Sequence, residues 1–159
     1  MIEWYKNKEL SIFFDDVPYV SIRYVLPSDT DAEVKSKKRY PFINKRSLEV
    51  RIFDHKKERT YGFTIPKGYC FDGASIPRLF WRVIGAPTDN SFLIAAMVHD
   101  TLCENHQYIM NDRQLSSDVF NALLETSQVG KFKRFLMKHS VNVFQRFCGW
   151  DDKQNKKVS

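Results

Sequence analysis

The sequence predicts an α+β fold, with a small antiparallel β-sheet in the N-terminal half packed on a C-terminal bundle of three to four helices. Apolar residues recur at a period of two before residue 66 and at helical spacing from residue 76 onward. Hydrophobic residues make up 43% and charged residues 28% of the 159 residues, a composition typical of folded globular proteins. We therefore expect one domain spanning residues 1–159.

The strand predictions depend on alternating apolar residues and on the turn residues that separate them. A run that alternates strictly, a polar turn and a second alternating run together predict a β-hairpin. An earlier run ends before Pro27, because proline cannot continue a sheet interior. The predicted strands are residues 11–14, 19–26, 48–53 and 60–65. Residues 28–47 are rich in Lys, Asp and Ser and contain Pro41, which predicts a mobile basic insertion or loop.

The helix predictions follow from apolar spacing bounded by capping residues. Ser75 is placed to cap a short helix with Pro77 in its first turn, and Asn111–Asp112 caps a later one. Gly130 separates the last two helices. The predicted helices are residues 76–84, 91–106, 111–127 and 131–147, followed by a loose polar tail at 151–159.

Charge and cysteine content restrict the class of protein. The net charge of +6 can attract anionic partners, but no nucleic-acid-binding motif accompanies it, so a solvated basic surface is the plainer interpretation. Three widely spaced cysteines without a CxxC pair favour a reducing compartment. The N-terminus has no signal-peptide pattern, and no apolar run reaches the length of a membrane span. We expect synthesis in the cytoplasm.

His99 and Asp118 are the candidate catalytic pair. His99 falls on the apolar stripe of the 91–106 helix, and Asp118 falls on that of the 111–127 helix. A short connection predicts an antiparallel helix pair, in which both residues lie about 10 Å from the turn and so side by side. An aspartate that accepts from one imidazole nitrogen makes the other a better base. The alternative is a buried hydrogen bond that only joins the helices.

Two further features suggest ligand chemistry near this pair. Asp100 follows His99 and could hold a divalent cation, with calcium, magnesium and zinc all open, and Asp72 is a second candidate ligand. Asp72 precedes Gly73, Ala74 and Ser75 at a predicted helix start, where the amides of Ala74 and Ser75 would form an anion site. Capping of the helix by Asp72 or Ser75 alone is the simpler alternative.

The motif residues resemble a phage- and prophage-associated family of unknown function. The match runs over about residues 48–147 and rests on the Gly-Phe-x-Ile-Pro-x-Gly and Phe-Asp-Gly-Ala-Ser-Ile-Pro-Arg strings, which include Arg78, followed by His99-Asp100, Arg113 and Asp118-Val119-Phe120. The resemblance implies a bacteriophage origin and brings no activity with it. The chain departs from the family where Cys103 or Glu104 replaces the aromatic residue that usually follows the His-Asp pair.

A second, weaker likeness is to small calcium-dependent phospholipases. In that class a His-Asp helix faces an antiparallel helix whose aspartate orients the histidine, while the adjacent aspartate binds calcium. His99, Asp118 and Asp100 would take those roles here. The disulfides and the glycine-rich calcium loop of that class are missing, so the likeness is one of local geometry.

These observations lead to two hypotheses of function. In the first, the protein is a hydrolase of ester, phosphoester or cell-envelope bonds, with His99 activating water and a divalent cation assisting. In the second, it is a non-enzymatic virion component or a module that binds a phage or host protein, with the aromatic residues and basic segments as contact surfaces. The virion is then a second location beside the host cytoplasm, and nucleic acid is not an expected partner.

Overall fold

The structure, a computed structural model, describes residues 1–72, 90–126 and 138–139. Antiparallel strands fill the N-terminal half and two long helices follow, so the α+β prediction is confirmed. The elements are β1 (Ile2–Lys6), β2 (Leu10–Phe14), β3 (Val20–Ile22), α1 (Asp31–Arg39), β4 (Phe42–Asn44), β5 (Leu48–Asp54), β6 (Arg59–Ile65), β7 (Cys70–Phe71), α2 (Asn90–Glu104) and α3 (Arg113–Thr126). The predicted helices at 76–84 and 131–147, Lys138 and His139 apart, and the tail at 151–159 lie outside the described residues.

The strands form two antiparallel sheets. The larger has the order β1-β2-β5-β6, and its β5–β6 hairpin pairs Leu48 with Ile65 and Asp54 with Arg59, which confirms the predicted hairpin. Alternate residues of β5 are buried, as its period of two requires. The smaller sheet has the order β3-β4-β7. The sequence missed β1, because this edge strand pairs with β2 alone and none of its side chains is fully buried.

The prediction of a loop over residues 28–47 was wrong, because this segment contains α1 and β4. Thr30 caps α1 through a capping box: its hydroxyl accepts from the Glu33 amide, and the Glu33 carboxylate accepts from the Thr30 amide. Acidic residues in the first turn and basic ones in the last also favour the helix. No residue of α1 is buried, so the apolar period that reveals most helices was absent.

Removing the cap should unfold α1 alone. Thr30→Ala loses an N-cap hydrogen bond worth about 1 kcal/mol, and a helix of this length is marginal without packing. We expect faster amide exchange at residues 33–39 and little change in the global unfolding transition, both read by hydrogen exchange and thermal melting. Ser28→Ala, which trims an exposed hydroxyl just before the helix, is the control. A large loss of global stability would show instead that α1 is coupled to the core.

The helix α2 passes through the centre of the described core. Every side chain from Phe92 to Leu102 is buried except that of Ile94. A helix that is apolar on all sides belongs inside a protein, so the predicted one-sided stripe understates its burial. The helix α3 packs against α2, and Asp112, just before its first residue, caps it: the Asp112 carboxylate accepts from the Leu115 amide at 3.0 Å, as the predicted cap requires.

Candidate functional site around the second half of α2

His99 lies in the core, as the sequence predicted, and is 1% exposed. Its ring centroid lies 5.1 Å from that of Phe120 on α3. The Cys103 thiol, one helical turn further along, lies 3.5 Å from Nε2 and 3.6 Å from Nδ1 of His99. Burial lowers the pKa of His99 to about 3, so the imidazole is neutral at physiological pH and one of its ring nitrogens is unprotonated.

A second polar group lies on the neighbouring face of α2. Asp100 and Glu104 are four residues apart and therefore share a face. The Tyr69 hydroxyl, just before β7, donates to Glu104 Oε2 at 3.0 Å and also bonds to the Thr101 side chain. Burial, with the carboxylates of Asp100 and Glu104, raises the pKa of Tyr69. The phenol therefore stays protonated and acts as a hydrogen-bond donor beside two carboxylates.

Asp118 does not orient His99, so this part of the predicted geometry was wrong. The Asp118 carboxylate accepts from Gln114 at 3.2 Å and from Lys138 at 2.5 Å, and its side chain is 40% exposed. The predicted position of His99 along the helix pair agrees with the structure, because His99 contacts Phe120, which is two residues from Asp118 on α3. Two residues correspond to about 200° of helix rotation, so Asp118 points away from the histidine.

Asp118 instead lines a polar pocket of about 300 Å³ between α3 and the turns that follow β1 and β5. Lysines and carboxylates both line the pocket and form ion pairs: Lys138 pairs with Asp118, and Lys57 pairs with Asp112 at 2.5 Å. The Tyr5 hydroxyl donates across this region to Glu125 at 2.9 Å. The pocket is thus a network of matched charges, distinct from the surroundings of His99.

The other predicted site residues are placed as follows. Asp72 is half-buried directly after β7, and Asp100 is buried on α2; each has interaction partners. In the part of the chain that the structure describes, no three His, Cys, Asp or Glu residues are grouped so that they could hold a metal ion. Arg113 begins α3 and accepts a bond from the Ser117 hydroxyl through its carbonyl. Ala74, Ser75 and Arg78 lie outside the described residues.

Sequence reasoning missed Tyr69, Glu104 and the thiol of Cys103 as neighbours of the His-Asp pair. Cys103 and Glu104 each stand four residues after a member of that pair, which was a signal available from helical spacing. Tyr69 is separated from Glu104 by thirty-five positions, and no local pattern relates the two.

The geometry defines an α+β domain with buried ionisable groups on a central helix. Comparison with family models adds its family: the chain belongs to the family described as "Protein of unknown function (DUF1353)", whose model matches residues 49–141. The matched range contains β5 apart from its first residue, the whole of β6, β7, α2 and α3, and every predicted site residue.

A curated relative matches a shorter stretch. "Uncharacterized protein y4jT" of Sinorhizobium fredii (strain NBRC 101917 / NGR234) is 42% identical over 48 residues, which is 30% of this chain. The aligned stretch makes up 14% of the relative's length. No solved structure matches. None of the described helices combines the length and apolar composition that crossing a bilayer requires.

Proposed function

We propose that the protein is a hydrolase whose active site lies at the second half of α2. The observation that carries this proposal is that His99 and Tyr69, whose pKa values burial displaces strongly, lie on or against the same turns of α2. Strongly perturbed ionisable groups cluster at functional sites. Burying a carboxylate such as Asp100 is unfavourable for stability, which also favours a role beyond packing.

The proposed chemistry assigns one task to each group. His99 is the general base that takes a proton from water through the unprotonated nitrogen of its imidazole. Cys103 and Phe120 hold the ring in place. Asp100 stabilises the positive charge that develops on His99, and Tyr69 turns its single hydroxyl proton from Glu104 to an oxygen of the substrate. Asp118 is not part of this set, because it pairs with Lys138.

The proposal is tested by assaying the purified protein against an aryl ester, an aryl phosphodiester and dye-labelled cell-wall material, with and without calcium, magnesium or zinc. A general base contributes about 10²–10⁴-fold to rate, so His99→Gln should reduce turnover at least a hundredfold. Tyr69→Phe keeps the ring and removes only the donor, so it should lower the rate with the fold intact.

Asp118→Asn is the matched control for that experiment. It removes one charge from a partly exposed pair, which is worth about 0–1 kcal/mol, and should leave turnover within about twofold of the wild-type value. Circular dichroism establishes that each variant is folded. The proposal fails if the wild-type protein turns over none of the substrates, or if folded His99→Gln is as active as wild type.

The bacteriophage origin implied by the resemblance is part of the same proposal. The alternative function, a non-enzymatic virion component or host-protein-binding module, is favoured by the exposed apolar residues that follow β3. Mass spectrometry of purified particles separates the two: a fixed stoichiometry in virions favours the alternative, and absence from particles favours the enzyme.

A further inference from the structure

Exposed apolar side chains are concentrated in one short segment of the described structure. Among the residues that the structure describes, nine large hydrophobic side chains are exposed, and six of them lie between residues 17 and 26. Tyr24, Val25 and Leu26 are consecutive and are 70%, 48% and 52% exposed. In an ordinary half-buried strand alternate residues face the core, so three exposed neighbours mark a protrusion. We call residues 24–26 the apolar tip.

The apolar tip is held next to the last turn of α1, which contains Lys37, Lys38 and Arg39 and which we call the basic end of α1. The guanidinium of Arg23, which directly precedes the tip, donates to the carbonyls of Ser36 and Tyr40 at 3.4 and 3.0 Å. At the other side of the tip, the Leu26 amide donates to Asp29, whose carboxylate binds Lys37 at 2.7 Å. These bonds fasten both ends of the tip to α1 and give it a defined position.

The helix to which the tip is attached carries exposed cations. Lys35, Lys38 and Arg39 are exposed on α1, and none of them forms an ion pair within the part of the chain that the structure describes. Asp29 is neutralised by Lys37, and the acidic residues Asp31 and Glu33 lie in the first turn of α1, away from the last turn that carries Lys38 and Arg39. The surface next to Arg23 is therefore both apolar and positively charged.

We propose that the apolar tip and the basic end of α1 dock on an anionic lipid bilayer. A bilayer offers an apolar layer for Val25 and Leu26, an interfacial layer suited to Tyr24, and anionic headgroups for the lysines. Nucleic acid supplies the negative charge but offers no apolar medium for aliphatic side chains. A second copy of this chain brings the same positive surface, which repels. The attachment is peripheral and independent of the hydrolase proposal.

The test is co-sedimentation of the full chain with vesicles of phosphatidylcholine alone and of phosphatidylcholine mixed with phosphatidylglycerol. We expect binding to the mixed vesicles that weakens as salt is raised. Each cation near an anionic surface contributes about fivefold to affinity, so the triple variant Lys35→Gln, Lys38→Gln, Arg39→Gln should bind about a hundredfold more weakly. Tyr24→Ser with Leu26→Ser should also lose binding, including at low salt.

Matched controls separate this surface from the general basicity of the chain. Lys8→Gln, Lys67→Gln and Arg59→Gln together remove the same charges from other exposed positions, and Tyr108→Ser removes an exposed tyrosine elsewhere. Both controls should bind within about threefold of wild type. The proposal is overturned if wild type does not sediment with anionic vesicles, if the control triple loses as much affinity as the α1 triple, or if the surface binds an acidic protein or polynucleotide and not vesicles.

Discussion

Phe120→Ala is expected to lower the free energy of unfolding by about 3–5 kcal/mol, as large-to-small substitutions of buried aromatic residues do. Phe120 is fully buried on α3 and its ring lies between two residues of α2: His99 at 5.1 Å and Phe92 at 6.5 Å between centroids. Truncation leaves a cavity at the contact between the two helices. Urea unfolding near neutral pH, followed by circular dichroism, measures the loss.

The neighbouring residue supplies the control for this prediction. Asn121→Ala changes a half-exposed position on the same helix and should alter stability by less than about 0.5 kcal/mol. Phe120→Leu keeps part of the side-chain volume, so its loss in free energy of unfolding should lie between those of Asn121→Ala and Phe120→Ala. It replaces Phe120→Ala in the measurement if that variant does not fold. A loss below about 1 kcal/mol for Phe120→Ala would contradict the view that the α2–α3 contact is a main part of the core.

The helix pair shows how far residue spacing predicts contacts. Counting from the connecting turn placed His99 and the middle of α3 at the same level, and the Phe120 contact supports that estimate. The direction of each side chain could not be fixed, because most of the circumference of α3 is buried and an apolar stripe no longer marks a single inward face. The side chains left in contact with solvent along α3 are mainly Gln114, Asp118, Asn121 and Glu125, spaced at helical intervals.

The helix α1 was not predicted for the opposite reason, because it has no buried face at all. Its capping box, Thr30 to Glu33, and its acidic first turn were present in the sequence, but it has no apolar face. A prediction based on the spacing of apolar residues does not detect a helix that has no buried residues. The same lack of burial is what leaves its lysines, and the apolar tip beside it, available to a partner.

The part of the candidate site that is made of residues adjacent in the sequence could be predicted. His99 and Asp100 stand out because ionisable residues are rare within an apolar helical run. The partners of that pair depend on tertiary packing: Tyr69 reaches α2 because β7 joins β4 in the smaller sheet. Such contacts between distant positions cannot be obtained from spacing along one chain, which is why Asp118 was assigned a neighbour that it does not have.

Acidification should destabilise the protein through His99. The pKa of His99 is about 3 in the folded protein because of burial, whereas an unfolded histidine titrates near 6.5. Below about pH 6.5 the unfolded chain binds a proton that folded His99 does not, so the free energy of unfolding falls as pH falls, by up to about 1.4 kcal/mol per pH unit. Above that pH His99 contributes no pH dependence. Urea unfolding at several values between about pH 7.5 and 5 measures this slope, above the range in which carboxylates titrate.

His99→Gln isolates the contribution of this one group. The substitution removes the ionisable imidazole, so the unfolding free energy of the variant should depend less steeply on pH. The variant should be less stable than wild type at neutral pH. His55→Gln, which removes an imidazole bonded to Ser11 at 2.8 Å in a different part of the fold, is the matched variant against which the change of slope in His99→Gln is compared. Equal slopes in wild type and His99→Gln would mean that His99 is accessible to protons, and the buried neutral base on which the proposed hydrolysis depends would be lost with it.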